Sequence, residues 1–422
     1  MMYVDIEREG ETPLSPEQVL AMKPTLVLTV RPQSYEGTGY SSIVCPPDPI
    51  KALVRLGAWR RALYDVPVVG VTGSVGKSST VELLGHLLAR HFGVVALTTP
   101  EENDELGVPI MCANLDSSVK AIVAEMATWR HGEIRDCALA CQPGIAVITA
   151  IDRVHLARFG TVEAIQRAKA ELFEAIAPHG LGVIPVDDHL TRSLWRDYAD
   201  VARACSLVDS NAYSYAERVS TDAQRTYVQA RIGDNRIRFS LPMSGPGHVR
   251  NALTAATVAF ELGLTADEIA YAMSTYRRCL DGRLQTVYAA DGVTVVNDGH
   301  NAAVASCREL SWFLKCCPFR RRIVVFGGIA EAGGQEPDVM SDAIGCLWQG
   351  ADQVIAFGPA ARYACGSTAV WPQEQVVGRL MEIVKSGDIV AFKGSANTGA
   401  SSIAHSLAEA LGGQRGGDES DR

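Results

Sequence analysis

Runs of apolar, β-branched residues alternate with helix-length amphipathic segments along most of this chain, and changes in that alternation divide it into blocks. The first 65 residues carry one strand-like run, Thr25–Val30, and one helix-like run, Ile50–Leu63. From Val66 the pattern tightens: VPVVGVTG reads as a buried strand entering a glycine loop, with a helix following through about Arg90. Apolar runs at Ala121–Met126, Gly144–Ile151 and Leu181–Val186 follow, separated by helical stretches such as Thr161–Ile176. Strand and helix in alternation predict a parallel sheet covered by helices. An antiparallel insertion is expected near Arg225–Leu241, then a helical pair at Val249–Leu262 and Ala266–Tyr276. Strand runs resume at Val293–Asn297, Arg322–Ile329, Ala351–Gly358 and Asp388–Ser395, each separated by helix-length segments, which predicts a second βαβ unit.

The expected architecture is therefore α/β. A small opening domain spans 1–65, a central parallel-sheet domain 66–281 and a Rossmann-like C-terminal domain 282–412, with a disordered polar tail at 413–422. Length agrees, since a single core seldom grows past about 250–300 residues before splitting and this chain has 422.

Composition narrows the function classes. Apolar residues make up 47% and charged residues 21%, the balance of a globular protein. A net charge of −9 with no Lys/Arg block leaves no basic surface for a phosphodiester backbone, so nucleic acid is not an expected partner. No apolar stretch approaches a membrane span, and Asp5, Glu7, Arg8 and Glu9 precede any apolar run, so neither membrane association nor a signal peptide is expected. Eleven scattered cysteines without a CxxC pair fit a cytoplasmic protein better than a zinc site or a disulfide framework.

The most specific chemical signal is Gly70-Val71-Thr72-Gly73-Ser74-Val75-Gly76-Lys77-Ser78-Ser79, a GxxxxGK loop followed by serine, placed after a predicted strand and at the head of a helix. Glycines let backbone N–H groups converge on a phosphate, and the helix N-terminus adds positive potential. Lys77 reaches the outer phosphates and the Ser78 hydroxyl can ligate Mg²⁺. ATP binding is expected, and the loop alone leaves a ligase, a kinase and a motor ATPase open.

The form of the loop resembles that of the Mur ligase family, GTxGxxGK followed by two Ser or Thr residues, and the likeness runs from about Val66 to Leu411. Four further segments carry it, most closely to the branch that joins D-alanyl-D-alanine to a muramoyl tripeptide. Thr99-Pro100 through Asn103-Asp104-Glu105-Leu106-Gly107-Val108-Pro109 is similar to TPGNxNNEIGVP, one residue shorter. Glu125-Met126 with Gly132-Glu133-Ile134 resembles EMGAxxxGEI. Thr149 through His155-Leu156, Phe159-Gly160-Thr161 and Arg167-Ala168-Lys169 resembles TNI, AHLEGFGS and AKGEIF in turn. Gly282-Arg283, then Asn297-Asp298-Gly299-His300-Asn301-Ala302 with Ser306, resembles GR and DDSYNANPxS.

That resemblance implies an ATP-dependent ligase that activates a carboxylate as an acyl phosphate and joins it to an amine or amino acid. It implies two Mg²⁺ ions, one on Ser78 and the phosphates and one on Glu125 and His155, with Lys169 carbamylated to help hold the second. Such an adduct needs a neutral amine, hence a lysine whose charged form is disfavoured by its surroundings. Gly73, Ser74, Gly76, Lys77, Ser78 and Ser79 would cradle the nucleotide, Asn251 would lie near adenine, Asp298 would take the ribose hydroxyls and Arg283 would contact the transferring phosphate. Lys77, His155, Lys169 and Arg283 are the catalytic candidates, and Lys393-Gly394-Ser395 matches a KGS near the amine side.

The sequence also departs from the pattern. His248 stands where the adenine segment has its first Asn, Ala303 and Val304 replace the NP of NANP, Ser341 falls where a His is usual, and Ala396 follows KGS in place of Arg. The opening unit is shorter than the usual nucleotide-sugar domain. These departures suggest a ligase recruited to another acid, such as a specialised metabolite or peptide. A cell-wall ligase with a divergent first domain, a folylpolyglutamate- or cyanophycin-like ligase and a non-catalytic nucleotide-binding protein remain alternatives. The identities of acid and amine and the oligomeric state are left open.

Overall fold

The computed structural model describes residues 2–5, 14–23, 26–29, 31–36, 38, 43–44, 46–152, 156–176, 180–221, 225–242, 245–277, 282–288, 292–316, 319–330 and 336–412. The tail expected at 413–422 lies outside them.

Three sheets follow one another along the chain. The first is small and parallel, in the order Met2–Asp5, Leu26–Thr29, Ile43–Val44. Its core is equally small, with Val19, Val27 and Tyr35 buried together.

The second sheet has nine strands. Within it, Val68–Thr72 is flanked in parallel by Ala121–Glu125 and Ile145–Ile148. All three are buried along their whole length, which is why they read as continuous apolar runs rather than alternating ones. Val95–Leu97 closes one edge, and Leu181–Pro185 then Ala202–Ser206 extend the other. Beyond them Ser214–Thr221 joins in parallel, and Thr226–Ile232 and Asn235–Leu241 follow it antiparallel to complete the sheet. The insertion expected near Arg225–Leu241 thus gains a partner strand that the sequence reading did not anticipate.

The helices Lys77–Phe92, Pro246–Glu261 and Ala266–Thr275 pack on one another and cover one face of this sheet. Pro246 starts its helix at the first turn, where a missing N–H costs nothing. The third sheet has six strands, in the order Gln285–Tyr288, Thr294–Asp298, Asp388–Gly394, Arg321–Gly328, Gln353–Ala356 and Ala369–Val370, and only the first is antiparallel to its neighbour. The strands carrying Thr72, Glu125 and Asp298 each end at the same cavity, and that convergence builds the site.

Among the described residues no helix is long and apolar enough to cross a membrane. The described cysteines are free, and Cys112, Cys137, Cys141, Cys205 and Cys307 are buried.

Candidate active site

The glycine loop is held from below by the neighbouring strand. Thr149 Oγ1 donates to Val75 O at 2.6 Å, Ser74 N donates to Ala150 O at 2.8 Å, and Ser74 Oγ accepts from Asp152 N at 2.9 Å. Gly73 (φ +150°) leaves no room for a side-chain carbon, which would overlap the Thr149 hydroxyl. Gly76 caps the helix Lys77–Phe92 at φ +92°, a left-handed conformation that favours glycine, and a side-chain carbon there would sit 2.7 Å from Asn251 Oδ1. Asn251, expected near the base, thus packs directly over the phosphate loop. Lys77 Nζ donates to Gly73 O at 3.1 Å, so the lysine folds back across the loop it serves.

A cavity of about 310 Å³ opens over this loop. Ser74, Gly76, Lys77, Ser78 and Ser79 line it, together with Glu125, Asn251, Arg283 and Asp298. Gly73, in the same loop, is not part of the cavity wall. Lys169 is buried in the helix Val162–Ile176, close enough for the Lys77 charge to act on it. His155, expected to hold a metal, lies outside the described residues.

Lys77, Arg283 and Lys393 share the cavity wall with Glu125, Asp298 and Glu309, so its cations are matched by carboxylates. Burial lowers the pKa of Lys77, and Glu125 opposes that shift. Burial likewise lowers that of Arg283, against Glu125 and Asp298. Burial and the like charge of Lys77 bring Lys169 down to about 7, far below an ordinary lysine. Glu125 is 2% exposed, at the end of its strand, and accepts from Asn103 Nδ2 at 2.8 Å. A buried carboxylate and a serine hydroxyl on one cavity are hard oxygen donors, which suits Mg²⁺ retaining several waters. Among the described residues no group of three or more His, Cys, Asp or Glu side chains is gathered tightly enough to hold a metal without other donors.

Arg283 is positioned through its neighbours. Gly282 O accepts from His300 N at 3.0 Å, and Leu284 N donates to Asp298 Oδ1 at 2.9 Å. Leu284 adopts φ +55°, an uncommon conformation for a leucine, held by that bond at the cavity wall. Asp298 Oδ2 also pairs with Lys393 Nζ at 2.9 Å, and Lys393 donates to Asn301 O at 2.6 Å. Lys393, 1% exposed, is therefore bound to the residue expected to take the ribose. Both Asp298 oxygens are engaged, and each keeps a second lone pair for a hydroxyl.

Sequence reasoning assigned no role to Asn103, Trp129 or Glu309, which also line the cavity. Asn103 lay within a matched segment, so a signal existed. Glu309 accepts from Gly247 N at 2.5 Å and faces Arg250 at 3.7 Å, tying the helix Val304–Cys316 to the first turn of Pro246–Glu261. Nothing local marks Glu309, because the contact spans 62 residues.

Comparison with known proteins bears on this geometry. Residues 71–259 match the Mur ligase middle domain, and residues 282–396 match the glutamate ligase domain of Mur ligases. The UDP-N-acetylmuramoyl-tripeptide–D-alanyl-D-alanine ligase of Mycobacterium leprae is 31% identical over 385 residues, covering 81% of this chain and 73% of that protein. The chain belongs to the Mur ligase family. The enzyme of the same name from Mycobacterium bovis is 32% identical over 287 residues, 66% of this chain. That match spans only 56% of the M. bovis protein. MurF of Acinetobacter baumannii has the same fold, with a TM-score of 0.86 at 25% identity, covering 97% of this chain and 90% of its own. This Mur ligase is thus most like MurF among the relatives compared, as the likeness of its motifs implies.

Proposed function

We propose that this Mur ligase joins a carboxylic acid to an amine at the expense of ATP, through an acyl phosphate. The observation that carries the reading is the meeting of Lys77 and Glu125, beside the nine-stranded sheet, with Arg283 and Asp298, beside the six-stranded sheet, in one cavity over a glycine loop. In the first step an oxygen of the acid attacks the terminal phosphorus of ATP, and ADP leaves. In the second the amine nitrogen attacks the acyl carbon, phosphate leaves with the acid's oxygen, and the amine gives up a proton.

Two anions approach each other in the first step, so positive charge must already be in place. Lys77 and Arg283 supply it. Ser78 and Glu125 would hold Mg²⁺, which neutralises phosphate charge when bound. A second ion, on Glu125 and His155 with a carbamylated Lys169, belongs to the proposal. Lys169 near pKa 7 supports it, because only the neutral amine reacts with carbon dioxide. Loop backbone groups would cradle the phosphates, Asn251 the base and Asp298 the ribose. Enclosure between the two larger sheets would keep water from the acyl phosphate. Residues 1–65, 66–281 and 282–412 are taken as three domains acting in this way, in the cytoplasm where ATP is available.

For the substrates, the names of the relatives and the coverage of the A. baumannii enzyme favour the MurF reaction, addition of D-alanyl-D-alanine to a muramoyl tripeptide. They favour it over the specialised acid suggested by the sequence departures. Position divides those departures: Ser341 and Ala396 are exposed and outside the cavity wall, whereas His248 and Ala303 line it. The test is ADP release measured with acid alone, D-alanyl-D-alanine alone, and both. Release that depends on both, and that Lys77→Ala abolishes, is expected; release that needs no amine would make the chain a kinase.

A further inference from the structure

We propose that Asp152 and Glu309 are reciprocal helix caps that seat the two larger units on each other, and that this seat couples ATP cleavage to amide formation. The coupling rests on the ligase reading above; the seat does not.

The first N–H groups of a helix have no partner within it and must be satisfied from outside. Two helices that border the cavity begin without a capping side chain of their own, because Gly245 precedes Pro246–Glu261 and Ala303 precedes Val304–Cys316. Each receives its cap from the other unit. Glu309 Oε2, on the helix beside the six-stranded sheet, accepts from Gly247 N at 2.5 Å, on the helix beside the nine-stranded sheet. Asp152 Oδ2, just beyond the strand Ile145–Ile148 of the nine-stranded sheet, accepts from Ala305 N at 3.0 Å, on the helix Val304–Cys316. In both directions a carboxylate meets the second residue of a helix, where its charge also suits the helix dipole.

The resembled motif DDSYNANPxS has Asn and Pro at the positions of Ala303 and Val304, residue types that start a helix from within their own segment. That local start is gone in this chain. Asp152, 153 positions away, supplies the acceptor instead. A departure at the cavity wall is thus also a transfer of the cap from the helix's own segment to the facing unit.

Both carboxylates are anchored. Asp152 N donates to Ser74 Oγ at 2.9 Å, and that hydroxyl donates to Asp152 O at 3.3 Å, so one cap is built on the phosphate loop itself. Glu309 Oε1 lies 3.7 Å from Arg250 Nη1, and Arg250 Nε is 3.2 Å from Asp187 Oδ2. Ser306 and Glu309 line the cavity from one unit, Ser74 and Gly247 from the other. The two caps therefore fix the spacing between the phosphate loop and the wall that faces it. A loosened wall admits water, which attacks the acyl phosphate and returns acid and phosphate with no amide made.

The test uses the full-length protein. With a non-hydrolysable ATP analogue and Mg²⁺ bound, amide hydrogen exchange is read at Ala305, at Gly247 and at Ala256, the last in mid-helix. Asp152→Ala should speed exchange at Gly247, which it does not cap, by about fivefold, the size of one helix cap, and Glu309→Ala should do the same at Ala305. Ala256 should not follow, which separates a lost seat from general destabilisation. Asp152→Asn keeps an acceptor oxygen and should stay near wild type. In turnover with ATP, muramoyl tripeptide and D-alanyl-D-alanine, the wild type should form amide and ADP in equal amounts. Asp152→Ala should make less amide than ADP and raise the ADP released on acid alone by about fivefold. Exchange that quickens only at the amide each carboxylate caps, or amide still equal to ADP in Asp152→Ala, would overturn the inference. A protein whose variants show the cross-effect, but whose wild type releases no ADP with both substrates, keeps the seat and loses the ligase reading and the coupling with it.

Discussion

Lys169 offers the sharpest quantitative prediction. Its pKa, brought to about 7 by burial and by Lys77, makes about three-quarters of it neutral at pH 7.5, against about one in a thousand for a lysine of ordinary pKa. Burial therefore raises the reactive amine several-hundred-fold at neutral pH. The neutral nitrogen can attack carbon dioxide and lose a proton to give a carbamate. In protein equilibrated with ¹³C-bicarbonate, a carbamate carbon resonance should appear in wild type, vanish in Lys169→Met, and fade as pH drops through about 7. With carbon dioxide excluded, the same residue governs stability. The folded pKa lies below the unfolded one, so between about pH 7 and 10.5 the unfolded chain holds a proton that the folded chain lacks. Stability then rises with pH across that window, by at most ~1.4 kcal/mol per pH unit from this one group, and is lost as pH falls toward 7. Urea titrations of wild type and Lys169→Met under argon isolate that slope. A resonance unchanged in Lys169→Met, or equal pH slopes for the two proteins, would refute the reasoning.

Three further perturbations follow from the same geometry. Gly76→Ala places a carbon against Asn251 at a left-handed position, so it should cost about 1–3 kcal/mol in chemical denaturation and weaken ATP binding by at least about tenfold. Lys393→Met leaves the Asp298 carboxylate without its ion pair and should destabilise by about 3–5 kcal/mol, with Lys393→Met/Asp298→Asn recovering part of the loss in the same urea titration. Glu309→Ala removes the acceptor of Gly247 N–H and the partner of Arg250. Its thermal midpoint should fall, and its KM for ATP should rise more than for either other substrate, because the helix it ties carries Asn251.

The parts of this protein legible in its sequence are those set by short-range rules. The phosphate loop is one, since strand, glycines, lysine and helix head fall within a dozen residues. The fully buried strands are another, because a strand covered on both faces is written as an uninterrupted apolar run. What escaped notice is short, half-covered or non-local. Val95–Leu97 is three residues long and only partly buried, and Ser214–Thr221 is exposed along half of its length, so neither carries a strong apolar signal. The amphipathic helix His189–Asp197 buries only Thr191 and Leu194. In the site, the likeness of motifs named the chemistry of Asp298 but not its pairing with Lys393, 95 residues away. The tie from Asp152 to Ala305 and that from Glu309 to Gly247 are likewise contacts between distant segments, which no local pattern encodes.

The reaction itself can be followed by isotope. With muramoyl tripeptide labelled with ¹⁸O in its terminal carboxylate, ATP and D-alanyl-D-alanine, each phosphate released should carry one oxygen from the acid, with ADP and amide formed in equal amounts. Phosphate free of label alongside amide product would contradict attack of the acid on ATP, and with it the chemistry assigned to Lys77 and Arg283.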